Sequence, residues 1–148
     1  MTKILNFKNN QLEAMVDMLS NLSISGKASR GRSKLKNKLI DKLEEYNDEA
    51  EEARDPFFIK DENGKRKFEN DRFILKNEDE REKLASVLDE IGDEQASVEF
   101  TEYSEKFKAL YESLDNYDRD LAGKDADCYD ILMDELENNY AQEKEGNE

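Results

Sequence analysis

Residues Ser25 to Tyr46, SGKASRGRSKLKNKLIDKLEEY, constrain the fold more than any other stretch, because they read as one amphipathic helix inside an acidic chain. At 100° per residue, Leu35, Leu39, Leu43 and Tyr46 fall in one apolar stripe, while Lys27, Arg30, Lys34, Lys38 and Lys42 run along a separate face. With Arg32 and Lys36, seven cations between Lys27 and Lys42 face only Asp41, a local charge of +6 that leaves −21 on the remainder of a chain whose net charge is −15. The cations occupy the N-terminal half of the helix, and Glu44, Glu45, Asp48, Glu49, Glu51 and Glu52 crowd the C-terminal half. Both groups oppose the helix dipole, at a few tenths of a kcal/mol to about 1 kcal/mol for each exposed charge. Helix stability therefore does not explain the arrangement. Either these are solvated faces, or the ridge is neutralised by the protein's own acidic helices, or it serves a partner.

The length of 148 residues suits a single domain, expected over residues 1–141, with a mobile polar tail over residues 142–148. Charged residues make up 41% and apolar residues 36%, yet the apolar positions are periodic, which indicates a folded chain. No apolar run reaches the ~18 residues of a membrane span, and no basic start with an apolar core marks a signal peptide, so a cytoplasmic setting is expected. One cysteine, Cys128, permits no internal disulfide.

Lys3 to Lys8 alternates as a short strand, and Asn9 or Asn10 would cap a helix that buries Leu12, Met15, Val16, Leu19 and Leu22. Ser25 or Ser29 would cap the basic helix, and Pro56 would stop it at Asp55. In Phe57 to Phe68 the pair Asn63-Gly64 signals a type I′ hairpin, with Glu62 opposite Lys65, Asp61 opposite Arg66 and Ile59 opposite Phe68. Phe73 to Leu75 could add a strand. Asn77 with Glu80 reads as a capping box for a helix with Leu84, Val87, Leu88 and Ile91 inward, ending near Gly92. Ala96 to Phe100 alternates weakly. Thr101 would cap a helix carrying Tyr103, Phe107, Leu110, Tyr111, Leu114 and Leu121, with Gly123 past its end, and Asp125 would cap a last helix with Ala126, Tyr129, Leu132, Met133, Leu136 and Tyr140 on one face. The predicted fold is α+β and predominantly helical: about four helices, with a small antiparallel sheet from the N-terminal strand and the Asn63-Gly64 hairpin.

The chain has no histidine, which removes the usual general base near neutral pH, the serine-histidine triad and imidazole metal ligation. One cysteine cannot supply a structural zinc site, and Asp127 and Asp130 beside Cys128 would raise its pKa instead of activating it. Ser25-Gly26-Lys27-Ala28-Ser29 lacks a phosphate loop's first glycine, with Asn21 in its place, and lacks its Mg²⁺-binding hydroxyl, with Ala28 in its place. The stretch from Asp118 begins like an EF-hand, but Ala122 occupies a ligand position and Tyr129 replaces the closing glutamate. The carboxylates from Glu44 to Glu52, spread along a helix, form no metal cage. No catalytic residue, cofactor or metal is therefore expected.

The stretch Gly26-Lys27-Ala28-Ser29-Arg30-x-Arg32-x-Lys34, with the following Lys42-Leu43-Glu44-Glu45-Tyr46, resembles a family of small acidic proteins of unknown function from phages and prophages of Firmicutes. The likeness extends to the N-terminal strand and helix and to the final acidic helix, Asp127 to Glu137. It implies a phage setting, in the cytoplasm of the infected host or with the virion, and it transfers no activity. The sequence reading is of a non-enzymatic protein that binds another protein, host or phage, through Lys27, Arg30, Arg32, Lys34, Lys36, Lys38 and Lys42. The alternative is a nucleic-acid mimic that presents its acidic face, Glu44 to Glu52, to a host nuclease or defence protein. Direct nucleic-acid binding by the ridge ranks third, since the surrounding negative field repels phosphates and no aromatic residue interleaves with the ridge before Tyr46.

Overall fold

A computed structural model describes residues 2–146, with side chains through Ala141; the polar tail expected from Gln142 lies outside the residues whose side chains are described. In chain order the elements are β1 (Ile4–Lys8), α1 (Leu12–Ser20), α2 (Gly26–Arg54), β2 (Phe68–Glu69), β3 (Arg72–Phe73), α3 (Arg81–Asp93), β4 (Gln95–Glu99), α4 (Ser104–Asp115) and α5 (Gly123–Gly146). The architecture is α+β and predominantly helical, with five α-helices where the sequence pattern predicts about four. Two compact units divide it: Met1–Leu43 with Gln95–Glu148, and Glu44–Glu94.

In the first unit β1 pairs antiparallel with β4, Leu5 opposite Val98 and Phe7 opposite Ala96. This corrects the expected sheet, in which the N-terminal strand joined the hairpin. Alternation puts Leu5, Phe7, Ala96 and Val98 inward, where all four are buried. The other edge of β1 is closed by α5: Glu135 Oε1 accepts from the Asn6 N–H at 2.5 Å, and Asn139 Nδ2 donates to the Ile4 carbonyl at 2.9 Å. Two side chains thus occupy backbone groups that an open edge would offer to another chain.

The core of this unit holds Leu12, Met15, Met18 and Leu19 of α1, Leu35 and Leu39 of α2, Phe107, Leu110 and Leu114 of α4, and Leu132 and Leu136 of α5. Phe100 stacks on Phe107 with ring centroids 4.4 Å apart. Helix ends are tied by tyrosines: Tyr129 Oη donates to the Leu114 carbonyl and Tyr140 Oη to the Ser104 carbonyl, both at 2.7 Å. These contacts satisfy the polar tips of otherwise apolar rings.

Several local expectations are corrected. Gln11, not Asn9 or Asn10, closes the turn before α1, its Oε1 accepting from the Lys8 N–H at 2.9 Å. Thr101 does not cap α4; its Oγ1 accepts from the Lys3 N–H and so ties β1 to β4 at one end of the sheet. α4 stops at Asp115, so Leu121 lies outside it, and Gly123, with φ +57°, opens α5 instead of closing α4.

In the second unit the chain from Phe57 to Lys76 folds on itself. Ile59 N–H donates to the Ile74 carbonyl, Ile74 N–H to the Lys67 carbonyl and Lys67 N–H to the Ile59 carbonyl, a closed ring of three backbone bonds. The turn at Asn63-Gly64 is present but is not type I′. Asn63 keeps negative φ, Gly64 alone has φ +78°, and Gly64 N–H bonds the Asp61 carbonyl while Asp61 N–H bonds the Lys65 carbonyl. This is a three-residue loop ending in a left-handed glycine, and it slips the register by one, so that Lys60 and not Asp61 faces Arg66. Asp61 Oδ1 selects it by accepting from both the Asn63 and Lys65 N–H groups. The type I′ turn falls instead at Asn70-Asp71, both at positive φ, between β2 and β3. Asn77 does cap the helical turn before α3, accepting from the Asp79 N–H at 3.0 Å. Phe58, Leu75 and Leu84, with Phe57 and Leu88 against them, form a small core.

One contact sets how closely α2 and α4 approach. A Cβ at Gly31 would lie 2.3 Å from the Lys106 carbonyl oxygen, inside any tolerated separation. Gly31→Ala must push the two helices apart, and we expect a loss of about 1–3 kcal/mol, read as a melting temperature lower by several degrees. An unchanged melt would refute the close approach.

Candidate functional site

The basic motif divides into residues that build the fold and residues that do not. Gly26, at φ +63°, starts α2 in a conformation suited to glycine. Ala28 is buried, and Gly31 admits the α4 backbone. Arg32 turns back onto the end of α1: its guanidinium donates to the Leu22 carbonyl at 2.6 Å, to the Leu19 carbonyl at 3.4 Å and to Ser29 Oγ at 3.0 Å. The carbonyls that end a helix lack intrahelical donors and carry the negative end of its dipole, so a cation there is favoured. An internal clamp is thus present at Arg32, but it grips backbone carbonyls and not the acidic side chains of α5. Arg30 does not share in it. Arg30 and Lys27 are exposed, and neither side chain makes a hydrogen bond or ion pair among the described residues.

Lys34 and Lys38 converge on an aromatic ring from another element. Their ammonium nitrogens lie 5.0 and 5.4 Å from the centre of the Tyr103 ring, and Lys106 of α4 brings a third to 5.5 Å. Each is within cation–π range. The ring's negative faces offset the cost of gathering three like charges. The Glu102 carboxylate, accepting from the Tyr103 hydroxyl and adding its negative charge, pushes that phenol above its ordinary pKa. Beside this cluster a shallow groove of about 280 Å³ is lined by Lys38, Asp41, Lys42, Ser97, Val98 and Glu99. The Glu99 carboxyl lies below the usual range, first because Thr101 hydrogen-bonds to it and then because Lys38 is near. Lys36 and Lys42 are half-buried on α2.

In the C-terminal half of α2, Glu44, Glu45, Asp48, Glu49 and Glu52 are exposed, and Ala50 is buried beneath them. Glu51 is exposed too but is committed to structure. Arg66, its side chain only 11% exposed, reaches Glu51 Oε2 at 2.8 Å and Asp55 Oδ1 at 2.9 Å, and its guanidinium carbon sits 5.1 Å from the Phe58 ring centre. Lys60 Nζ completes the pairing at 2.5 Å from Asp55 Oδ2. Cys128 is buried, and burial, followed by the charges of Asp125, Asp127 and Asp17, raises its pKa. That environment suits an inert thiol.

Residues 3–147 match the family described as Protein of unknown function (DUF1617). The chain belongs to that family. The comparison with curated proteins finds no match, and neither does the comparison with solved structures. For this DUF1617 protein, then, the residues of the site rest on geometry. No helix among the described residues is long and apolar enough to cross a membrane.

The sequence reading missed Tyr103, Lys106 and Arg66. Nothing in the sequence near Tyr103 or Lys106 signals the ridge, because α4 reaches it only through tertiary packing. Gly31 carried a readable signal, since a glycine inside a helix costs about 1 kcal/mol against alanine and often marks a close approach.

The Asp55 cluster generates a pH dependence. Hydrogen bonds from Lys60 and then Arg66 lower the Asp55 pKa. A carboxyl depressed by folding contributes stability that is present above its unfolded value near ~3.9 and is lost as pH falls through the lower folded value. Asp55→Asn is therefore expected to lower the melting temperature at about pH 7 and to leave it close to the parent's at about pH 2. Equal losses at both pH values, measured by circular dichroism, would contradict the charge pairing.

Proposed function

We propose that this protein acts by binding another protein, of host or phage origin, and has no catalytic activity of its own. It would serve as a phage-encoded accessory or assembly factor, or as an inhibitor of a host protein, in the cytoplasm of the infected cell. The observation that carries the reading is the convergence of Lys34, Lys38 and Lys106 on Tyr103. Three ammonium groups held on one ring have lost part of their freedom before any partner arrives, which lowers the entropy cost of gripping a partner's carboxylates. Because two of the three project from α2, whose apolar and small residues pack the core, the charged face is available without disturbing the fold.

A second reading, an acidic mimic of nucleic acid, is favoured by the exposed carboxylates Glu44, Glu45, Asp48, Glu49 and Glu52 along one helix. Direct nucleic-acid binding by the ridge stays third. Tyr103 does supply an aromatic ring beside the cations, but three ammonium groups occupy its surroundings, and the field of the rest of the chain opposes phosphate.

The test is affinity capture from infected-host extract with the parent chain and with Lys34→Glu/Lys38→Glu. We expect the variant to melt as a folded protein and to lose a partner that the parent holds. Retention of that partner by the variant, together with its release by added DNA, would favour the mimic. A turnover abolished by Cys128→Ala would overturn the non-enzymatic reading altogether.

A further inference from the structure

The two-stranded sheet of the first unit has two edges, and the chain treats them differently. Within an antiparallel pair, the backbone groups of successive residues point alternately toward the neighbouring strand and away from it. The Asn6 N–H and the Ile4 carbonyl point away from β4, where Glu135 and Asn139 bond them. The Phe100 N–H points the other way, toward β1, and bonds the Lys3 carbonyl at 2.9 Å. With Leu5 opposite Val98 and Phe7 opposite Ala96, this alternation turns the N–H and C=O groups of Ser97 and Glu99 outward, away from β1. Among the described residues nothing bonds these outward groups, and both residues are exposed. The edge of β1 is closed by two side chains, and the edge of β4 is open.

A groove of about 280 Å³ runs beside the open edge, within the first unit. Ser97, Val98 and Glu99 of β4 form one wall, and Lys38, Asp41 and Lys42 of α2 form the other. The α2 wall thus sets two ammonium groups against one carboxylate. On the β4 wall the Glu99 carboxylate already accepts from the Thr101 N–H at 3.3 Å. Lys38 also has its ammonium nitrogen 5.4 Å from the centre of the Tyr103 ring, so the groove adjoins the cationic cluster.

We propose that an extended segment of a partner protein adds to the free edge of β4 as a third strand, with an acidic side chain directed at Lys38 and Lys42. The proposal rests on the reading that this chain works by binding another protein, and it names the form of the contact. Main-chain bonds to Ser97 and Glu99 would hold an extended segment of any sequence. Alternate side chains of that segment would point toward the α2 wall, where the two ammonium groups favour a carboxylate. A second copy of the chain is a poorer occupant, because each copy would bring a net charge of −15 to the contact.

The test uses the full chain and a yeast-displayed library of random peptides selected on the parent. Selected peptides should carry Asp or Glu in an alternating pattern. Ser97→Pro removes the outward N–H and leaves the ladder to β1 intact, so it should weaken the selected peptides about tenfold or more. Lys38→Glu should weaken them by about the same factor, and melts verify that both variants fold. On the parent itself, hydrogen exchange at the Ser97 and Glu99 amides should slow when a selected synthetic peptide is added, a measurement that depends on no variant. Failure to select any peptide, equal binding to Ser97→Pro, or unchanged exchange at both amides overturns the proposal. So does a parent chain that doubles in mass in sedimentation while Ser97→Pro stays monomeric, since a second copy would then hold the edge. A partner captured through Lys34 and Lys38 that binds Ser97→Pro as tightly as the parent would overturn it and leave the docking reading standing. Peptides that add at Ser97, with no partner captured from infected-host extract, would uphold the edge site and end that reading.

Discussion

The approach of α2 to α4 at Gly31 governs what the rest of the first unit can do. With the Lys106 carbonyl lying where a side chain would begin, the two helix backbones meet with nothing between them. Close packing at this depth brings Leu35, Leu39, Phe107 and Leu110 into full burial. The same approach delivers Tyr103 and Lys106, from the start of α4, to the side of α2 where Lys34 and Lys38 emerge. The core and the charged cluster thus depend on one missing Cβ. A helix pair held apart by even an alanine would retain its pattern of apolar residues and lose its shared aromatic ring.

Polar side chains complete the elements that the hydrophobic core leaves unfinished. Glu135 and Asn139 occupy the open edge of β1, Tyr129 and Tyr140 bond carbonyls of α4, and Arg32 bonds the Leu19 carbonyl of α1 and the Leu22 carbonyl just past its end. In the second unit Arg66 lies against the Phe58 and Phe73 rings and is held by Glu51 and Asp55. Most of these are single polar groups placed where backbone polarity would otherwise be unmatched, and Arg66 instead meets carboxylates. For so hydrophilic a chain this division matters: part of its charge is structural, and exposed groups such as Lys27 and Arg30 are not committed to it.

Elements set by local periodicity were legible in the sequence. The alternation around Leu5 and Phe7 gave β1, the spacing of Leu35, Leu39 and Leu43 gave α2, and Pro56 marked the end of α2 to within a residue. What depended on distant partners was not legible. β1 finds its strand about ninety residues away, a pairing no local pattern specifies. Asn63-Gly64 fits a type I′ turn by composition, yet two hydrogen bonds to Asp61 Oδ1 select a different loop. Gly123 reads as the stop of a helix, where glycine is strongly enriched, yet it opens the next one. At the site, the cations of the ridge were visible as charges, but their sorting into a helix-capping Arg32, a ring-bound Lys34 and Lys38, and an uncommitted Arg30 needed the neighbouring elements.

That sorting is the centre of the account, and thermal unfolding of Arg30→Ala beside Arg32→Ala tests it most directly. Arg30, exposed and without a partner among the described residues, should be replaceable within about 0.5 kcal/mol. Arg32, bonded to two carbonyls and a hydroxyl, should cost about 1–3 kcal/mol when removed. Equal losses at the two positions, or a larger loss at Arg30, would contradict the division of the motif into a structural part and a spare one.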